Sequence, residues 1–253
     1  MAAALLYGVA AGLAMAAPPR IAIIIDDLGY NRAHGEAVLA LPGALTCAVI
    51  PATPFARRLG AQAASTGKEV MIHLPMAALD ARHLDAGAIN DTMSQARIAA
   101  VLDQARATLP AARGVNNHMG SALTAEHQPM RRLMSELGKR HLYFLDSRTS
   151  AATVAERTAR QQGVATGRRD VFLDNQRDFA RINDQFNKLL ELARQRGHAI
   201  AIGHPYPETI AYLRQVLPVI EQAGVRLVPV SALLHTPKRH TAATPTRPPD
   251  DAG

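Results

Sequence analysis

Several short apolar runs in this chain end at side chains that can bind a metal ion or transfer a proton. The first run, residues 21–25 with four isoleucines, ends at the adjacent carboxylates Asp26 and Asp27. Comparable runs are followed by His73, His118, Asp146, Asp174 and His204. Zinc and similar divalent ions take imidazole nitrogen and carboxylate oxygen, and a catalytic site uses three protein ligands while leaving positions open for water and substrate. These residue types therefore indicate a metal-dependent hydrolase.

Such a hydrolase also needs a general base for the attacking water and a general acid for the leaving group. A second carboxylate beside the ion suits the first task, and histidine, which titrates near neutral pH, suits the second. Because successive strand residues point to opposite sides, Asp26 and Asp27 are expected to perform different tasks. Each of these residues also has a structural alternative, such as capping of a turn or pairing with a nearby arginine.

The run at residues 21–25 is too short for a free-standing helix and is typical of a strand buried on both faces of a parallel sheet. Strand patterns and amphipathic helical patterns alternate about seven or eight times along the chain. In barrels and open α/β sheets, the loops at the carboxyl ends of the strands converge on one mouth, where active sites lie. We therefore predict an α/β fold, a distorted (β/α) barrel of about seven parallel strands, with the polar residues at its mouth.

Three local predictions bear on this mouth. Residues 114–115 are predicted to be a short strand that opens into a turn at residues 116–121, which would place His118 in that turn. The segment 77–92 shows no clear periodicity and is predicted to be a long surface loop that shapes a substrate groove. Residues 225–230 are predicted to form the last strand.

The length of 253 residues and the 48% hydrophobic content allow one large core, so one domain over residues 20–234 is the default. Residues 1–17 are apolar, and Ala14-Met15-Ala16 matches the pattern of a signal-peptidase site. We predict a signal peptide or N-terminal anchor there, and hence a periplasmic or secreted protein. Residues 235–253 are rich in Thr, Pro and Arg and are predicted to be disordered.

Charge and composition limit the partners. The net charge of +7 favours anionic surroundings such as a cell envelope or acidic glycans, and it is compatible with transient association with a membrane surface. Nucleic acid is not favoured, because aromatic residues make up only 4% of the chain, Trp is absent, and no recognition motif occurs. Nothing indicates an obligate protein partner. The single Cys47 excludes an intramolecular disulfide framework and is expected in the core.

Six motifs lie at predicted strand ends between residues 20 and 234. They are Ile25-Asp-Asp-Leu-Gly29, Glu69-Val-Met-Ile-His-Leu-Pro-Met76, Gly114-Val-Asn-Asn-His-Met-Gly-Ser121, Leu145-Asp-Ser-Arg-Thr149, Val171-Phe-Leu-Asp174 and Ile202-Gly-His-Pro205. In their order and strand context they resemble the divergent polysaccharide deacetylases, a bacterial envelope branch of the polysaccharide deacetylase superfamily. The resemblance implies a distorted (β/α) barrel and metal-dependent removal of N- or O-acetyl groups from glycans.

The resemblance also implies residue roles. In better-studied members of the superfamily, the first motif supplies a base and a metal ligand, which correspond to Asp26 and Asp27. Their second motif carries two histidines separated by three residues, whereas here His73 is followed by Ala77 in the second position. We predict that His118, after the next strand, supplies the missing ligand.

The last motif of those relatives carries a catalytic histidine after an apolar strand, and His204 is similar in context. The predicted site therefore has Asp26 and His204 as catalytic residues. Asp27, His73 and His118 are the predicted ligands of a divalent metal ion, with zinc favoured. Contacts with a polysaccharide or oligosaccharide substrate are predicted for Asn117, Asp146, Arg148 and Asp174.

The leading functional hypothesis is an exported, metal-dependent hydrolase that removes acetyl groups from an envelope or extracellular polysaccharide. The incomplete histidine pair of the second motif motivates an alternative, a non-catalytic glycan-binding or envelope-organising protein that keeps the deacetylase fold. A third hypothesis is another amide or ester hydrolase on the same scaffold, because a fold does not fix its substrate.

Overall fold

In a computed structural model that describes residues 17–80 and 84–235, nine strands form one sheet, and all of their pairings are parallel. The strands are β1 (Arg20–Leu28), β2 (Thr46–Val49), β3 (Glu69–Met76), β4 (Ala112–Met119), β5 (Tyr143–Asp146), β6 (Thr166–Arg168), β7 (Val171–Phe172), β8 (His198–Gly203) and β9 (Arg226–Leu227). The helices are α1 (Arg32–Leu39), α2 (Ala56–Ser65), α3 (Gln95–Thr108), α4 (His127–Lys139), α5 (Ala155–Gln161), α6 (Phe179–Arg196) and α7 (Pro207–Val216). None of the helices described here is long and apolar enough to cross a membrane.

Some of the helices begin or end at capping residues that are visible in the sequence. The Ser94 hydroxyl accepts a hydrogen bond from the backbone N–H of Arg97 (3.2 Å) at the start of α3, and Asp178 accepts one from Arg181 (3.1 Å) at the start of α6. Gly197 ends α6 with a φ of 81°, which glycine adopts without strain. The chain can therefore enter β8 directly after α6.

The sheet curls until its two ends meet. Its order is β6-β5-β4-β3-β2-β1-β8-β7, with β9 beside the start of β1. Between the end strands β6 and β7 lie only Arg169 and Asp170. The N–H of Arg169 donates to the carbonyl of Asp146 in β5 (3.0 Å), and the N–H of Asp170 donates to the carbonyl of Ile200 in β8 (2.8 Å). One extended segment thus joins both ends, and the predicted distorted (β/α) barrel is confirmed.

Both faces of β1 are buried, as its isoleucine run predicts. Ile21, Ile23 and Ile25 pack in the large cluster between the sheet and the helices, whereas Ala22 and Ile24 belong to the smaller cluster inside the barrel. All five are at most 1% exposed. Alternation along this strand therefore directs even-numbered residues toward the barrel interior, which decides where Asp26 points.

The chain ends of the described fold differ from prediction. The last strand covers only Arg226–Leu227, because the chain then turns into a 3₁₀ helix at Val230–Leu233. His235, assigned to the disordered tail, instead exchanges two backbone hydrogen bonds with Thr166 (2.9 and 3.1 Å). The rest of that predicted tail, and all but the last residue of the predicted signal peptide, lie outside the described residues.

The structure also corrects the placement of His118. Strand β4 does not end at residue 115 but continues to Met119, so that His118 lies in the strand and pairs with Pro75 of β3. The polar residues of this strand favour a turn in isolation, but here Asn116 and Asn117 use their amides in buried hydrogen bonds. Tertiary contacts therefore extend the strand.

Candidate functional site

Asp26 and Asp27 lie near the end of strand β1, at the mouth of the barrel. Alternation places Asp26 on the inner side with Ile24 and would place Asp27 on the outer side. Asp27 instead has a left-handed backbone (φ 55°), and the pairing of β1 with β2 shifts register between Ile25 and Leu28. Both carboxylates consequently line one cavity. A left-handed conformation is costly for a residue with a Cβ and is typical of functional sites.

Three potential ligand atoms converge in this cavity. Oδ1 of Asp27 lies 2.9 Å from Nδ1 of His118 and 3.2 Å from Nε2 of His73, and the two nitrogens lie 3.1 Å apart. Ligands bonded to a tetrahedral zinc ion at about 2.0 to 2.1 Å lie roughly 3.3 Å from one another. Despite these short distances Asp27 Oδ1 is a buried acceptor without a correctly directed hydrogen bond. The three side chains are therefore spaced to hold a divalent metal ion.

The orientation of His73 is fixed by Asn116. The Asn116 amide nitrogen donates to Oδ1 of Asp26 (2.8 Å) and to the hydroxyl of Ser147 (3.2 Å). The amide oxygen, 2.8 Å from Nδ1 of His73, must then be the acceptor, so that Nδ1 carries the proton. Nε2, which faces Asp27, is therefore the nitrogen that is available to bind an ion in place of a proton. Partners of this kind orient a ligating histidine and set its tautomer.

A second pair of residues orients His118. Its Nε2 lies 3.0 Å from Oδ2 of Asp85, and the hydroxyl of Tyr30 donates to Oδ1 of the same carboxylate (2.8 Å). An ionised carboxylate only accepts, so Nε2 of His118 carries the proton and Nδ1 has the lone pair directed at Asp27. Asp85 belongs to the predicted long loop 77–92, whose described residues form turns and one bridge to β3. The loop thus contributes to the site.

The carboxylates give the site an excess of negative charge. Burial alone would lower the pKa of His73, but the charges of Asp26 and Asp27 outweigh burial and raise it to about 9. Burial would raise the pKa of Asp27, but contacts with His118 and His73 hold it well below its ordinary value. For Asp26 burial prevails, and its pKa is raised. A cluster that retains a proton so strongly would also retain a divalent cation in its place.

His204 faces the other oxygen of Asp27, with Nε2 3.9 Å from Oδ2. Its Nδ1 donates to Oδ1 of Asp174 (2.9 Å), while Oδ2 of Asp174 accepts from the Thr209 hydroxyl (2.7 Å). Burial would lower the pKa of His204, but the hydrogen bond to Asp174 and the nearby carboxylates, including Asp26, outweigh burial and raise it. The Nε2 proton of His204 is therefore directed at the cavity, as a general acid requires.

The cavity has a volume of about 440 Å³ and is bounded by the loop after β5. The Asn117 amide accepts from the backbone N–H of Ser147 (2.9 Å) and donates to the carbonyl of Met119 (2.8 Å). The Arg169 guanidinium donates to the carbonyls of Ser147 (2.7 Å) and Arg148 (2.9 Å). Arg148 and Met119 have positive φ values of 55° and 54°. Strand β4 and the β6–β7 link therefore hold this loop beside the ligand cluster, with strained backbone at Arg148 in the loop and at Met119 at the end of β4.

The structure separates the four predicted substrate contacts into two groups. Asn117 and Arg148 line the cavity, whereas Asp146 and Asp174 do not. The carboxylate of Asp146 is buried and accepts from the N–H of Arg148 (2.8 Å) and the hydroxyl of Thr153 (2.9 Å). Asp174 is buried behind His204. We therefore revise the roles of these two carboxylates from contacting substrate to positioning the loop after β5 and His204.

Several residues of the site have no signal in the sequence. Asp85 and Tyr30 lie in irregular segments, where no periodicity predicts a contact. Asn116 is the exception, because it pairs directly with His73 in the register of β3 and β4. The signal in the sequence is that the motifs around His73 and Asn116 lie on neighbouring strands, which places the two side chains next to each other.

The chain matches the family described as divergent polysaccharide deacetylase over residues 23–234. The Escherichia coli K12 protein named uncharacterized protein YibQ is 40% identical to it over 246 residues, which cover 96% of this chain and 77% of YibQ. The crystal structure of uncharacterized protein ATU2773 from Agrobacterium tumefaciens C58 superposes with a TM-score of 0.82 at 25% identity, covering 87% of this chain and 90% of that chain.

A family 4 carbohydrate esterase from Streptomyces lividans, solved in complex with acetate, shares the fold with a TM-score of 0.56 at 13% identity. The match covers 88% of this chain and all of the esterase (100%). The family match includes both the barrel and every residue of the ligand cluster. The chain therefore belongs to the divergent polysaccharide deacetylases.

Proposed function

We propose that the protein is an exported, zinc-dependent hydrolase that removes acetyl groups from an envelope or extracellular polysaccharide. The observation that carries this proposal is the convergence of the ligand atoms of Asp27, His73 and His118 beside two further titratable groups. Oδ2 of Asp26 lies 3.6 Å from Nε2 of His73, and Nε2 of His204 lies 3.9 Å from Oδ2 of Asp27. A metal site, a base and an acid thus share one cavity.

The donor set favours zinc. Two imidazoles and one carboxylate, with positions open to a cavity, are typical of catalytic zinc, whereas magnesium and calcium prefer oxygen ligands. When bound, such an ion would lower the pKa of a water molecule and polarise the acetyl carbonyl. The hydrogen bonds from His73 to Asn116 and from His118 to Asp85 would keep a proton on the far nitrogen of each ring, so that the nitrogen facing Asp27 is the one that binds the ion.

The remaining steps belong to residues of the chain. Asn116 occupies one oxygen of Asp26 and leaves Oδ2 on the side of the cluster, where it would accept the proton of the attacking water. His204 would protonate the departing amine or alcohol, because an unprotonated amine anion is a poor leaving group. Asn117 and Arg148 would contact the sugar, since both line the cavity.

Export is part of the proposal. The apolar residues 1–17 and their A-x-A pattern support a mature chain that starts near Ala17 or Pro18 and works in the periplasm or outside the cell. Mass spectrometry of the protein from its native host tests this, and an intact Met1 in a soluble cytoplasmic fraction would contradict it.

The deacetylase proposal is tested by measuring metal content and acetate release on the same preparation, with a panel of N- and O-acetylated glycans. We expect about one zinc per chain and acetate release from at least one glycan. Bound zinc without release from any glycan would overturn the enzymatic proposal in favour of a glycan-binding role.

Asp85→Asn should weaken zinc binding about 10- to 100-fold, which is the usual effect of losing a carboxylate partner of a ligating histidine. The asparagine amide is uncharged and therefore does not raise the basicity of His118. Its NH2 group can also occupy the position of Oδ2, where it would donate toward Nε2 of His118 and not accept from it. Zinc affinity is measured by competition with a chelator. Asp80→Asn, in the same loop, is the matched control because Asp80 is exposed. Equal zinc affinity in the Asp85 variant and the wild type would remove Asp85 from the site.

A further inference from the structure

The link between β6 and β7 leaves part of the barrel without a covering helix. In the rest of the sheet, successive parallel strands are joined through helices or long connections, but here two strands are separated only by Arg169 and Asp170. The outer side of this segment borders a depression of about 530 Å³ that reaches α6 and the loop after β5. We call it the basic furrow, and its cationic lining residues are Arg148, Arg168, Arg169, Lys188 and Arg196.

The basic furrow adjoins the cavity that holds Asp27, His73 and His118, because the two depressions share lining residues. Arg148 and Arg169 line both depressions. Arg169 is fixed between them, because its guanidinium donates to two carbonyls of the loop after β5 and its Cζ lies 4.9 Å from the ring centroid of Phe172. A chain-like ligand with one unit in the cavity can therefore extend into the furrow.

The lining of the furrow carries an excess of positive charge. Its lining contains five cationic residues and one acidic residue, Asp170, so that the formal charge of the lining is +4. Asp170 pairs with Arg196 at 3.5 Å, and Arg168 has a distant partner in Glu156 at 3.7 Å. Within the described part of the chain, no carboxylate forms an ion pair with Arg148, Arg169 or Lys188. Clustered like charges repel one another, and an anionic ligand would relieve that repulsion.

The positions of the cations suit an extended ligand. Lys188 and Arg196 are both exposed and lie eight residues apart on α6, which is about 12 Å along the helix axis. Arg148 lines the cavity as well as the furrow, whereas Lys188 and Arg196 line only the furrow. The positive charge thus reaches from the lining of the cavity to a stretch of about 12 Å on α6, which is longer than one small anion.

We propose that the glycan processed in the metal-binding cavity is anionic, and that carboxylate or phosphate groups on units next to the acetylated sugar pair with the basic furrow. This inference rests on the proposed function for the identity of the reacting group. It assigns Lys188 and Arg196 as residues that determine substrate specificity, and it places them outside the groups that hold metal or transfer protons.

The test is equilibrium binding of matched oligosaccharides to the full chain, followed by acetate release. The probes are an oligomer that alternates N-acetylglucosamine with glucuronic acid, a phosphodiester-linked polymer of N-acetylated sugar, and a neutral N-acetylglucosamine oligomer of equal length. We expect at least one anionic probe to bind about tenfold or more tightly than the neutral one at low ionic strength, with the difference shrinking as salt is added. The anionic probe that binds more tightly identifies the anion.

Lys188→Glu should reduce the affinity for that anionic probe about tenfold, because the change from a cationic to an anionic side chain replaces an attraction by a repulsion. The affinity for the neutral oligomer should be unchanged. Lys188→Ala should show a smaller loss in the same direction. Arg57→Glu is the matched control, because Arg57 is exposed on α2 and does not line the furrow. Circular dichroism verifies that each variant is folded.

Equal binding of neutral and anionic probes by the wild type, or unchanged binding in Lys188→Glu, would overturn the inference. A single-stranded DNA oligomer of equal charge that binds as tightly as the glycan would overturn it as well, because the furrow would then be a general polyanion surface. Selective binding of an anionic glycan without acetate release would leave the inference intact and would contradict only the proposed hydrolysis.

Discussion

His73→Ala is expected to abolish zinc binding and acetate release together. His73 is 2% exposed, its Nε2 lies between Asp27 and His118, and its Nδ1 is held by Asn116. Mutation of a residue that only orients a metal ligand typically lowers metal affinity about 10- to 100-fold. Removal of the ligand itself should lower zinc affinity by more than that. Zinc per chain, measured by elemental analysis after gel filtration, should therefore fall close to zero.

The matched control for this variant is His127→Ala, because His127 is exposed at the start of α4 and does not line the cavity. It should keep full zinc content and activity. His118→Ala should repeat the loss seen in His73→Ala, since its Nδ1 is the third corner of the ligand triangle. Unchanged zinc stoichiometry in both cavity variants would exclude this cluster as the metal site.

The parts of the site that lie at strand ends could be predicted from the sequence. A run of β-branched residues such as Ile23–Ile25 specifies a strand buried on both faces, and parallel strands present their carboxyl ends on one side. His73 and His204 approach Asp26 for this reason, although the three residues are far apart in the chain. Asp27 joins them only through its left-handed backbone and the register shift of β1, which periodicity does not predict.

The parts that depend on tertiary contacts could not be predicted. Strand β6, Thr166-Gly-Arg168, has no large apolar residue and exists because it pairs with β5. His118 lies in a strand whose polar residues favour a turn, and the strand is stabilised by amide hydrogen bonds to neighbouring elements. Asp85 reaches His118 from an irregular loop. Periodicity carries no information about any of these contacts.

Asp26→Asn and His204→Ala are expected each to lower turnover by about 10² to 10⁴ while keeping zinc and fold, the usual range for loss of a general base or acid. Neither side chain is among the three closest ligand atoms. In Asp26→Asn the new amide oxygen can still accept from Asn116, so the orientation of His73 is preserved. Zinc content and turnover are measured on the same preparation.

The two variants should remove opposite limbs of the pH–rate profile. Burial raises the pKa of Asp26, so the acidic limb should lie above the ordinary aspartate value of 3.8, and activity should fall as pH decreases through it. The pKa of His204 is raised despite burial, chiefly by its hydrogen bond to Asp174, so activity should be lost only as pH rises above the ordinary histidine value of 6.5. Asp174→Asn should move this alkaline limb to lower pH.

A competing role for Asp26 is to orient the ligand cluster through Asn116 without accepting a proton. On that reading Asp26→Asn would lower zinc affinity along with turnover, and the acidic limb would remain at its original pH once zinc is added in excess. Loss of the limb at full zinc occupancy instead assigns the proton transfer to Asp26. Full activity in either Asp26→Asn or His204→Ala would remove that residue from the mechanism, because no other described carboxylate or imidazole besides the three proposed ligands lines the cavity.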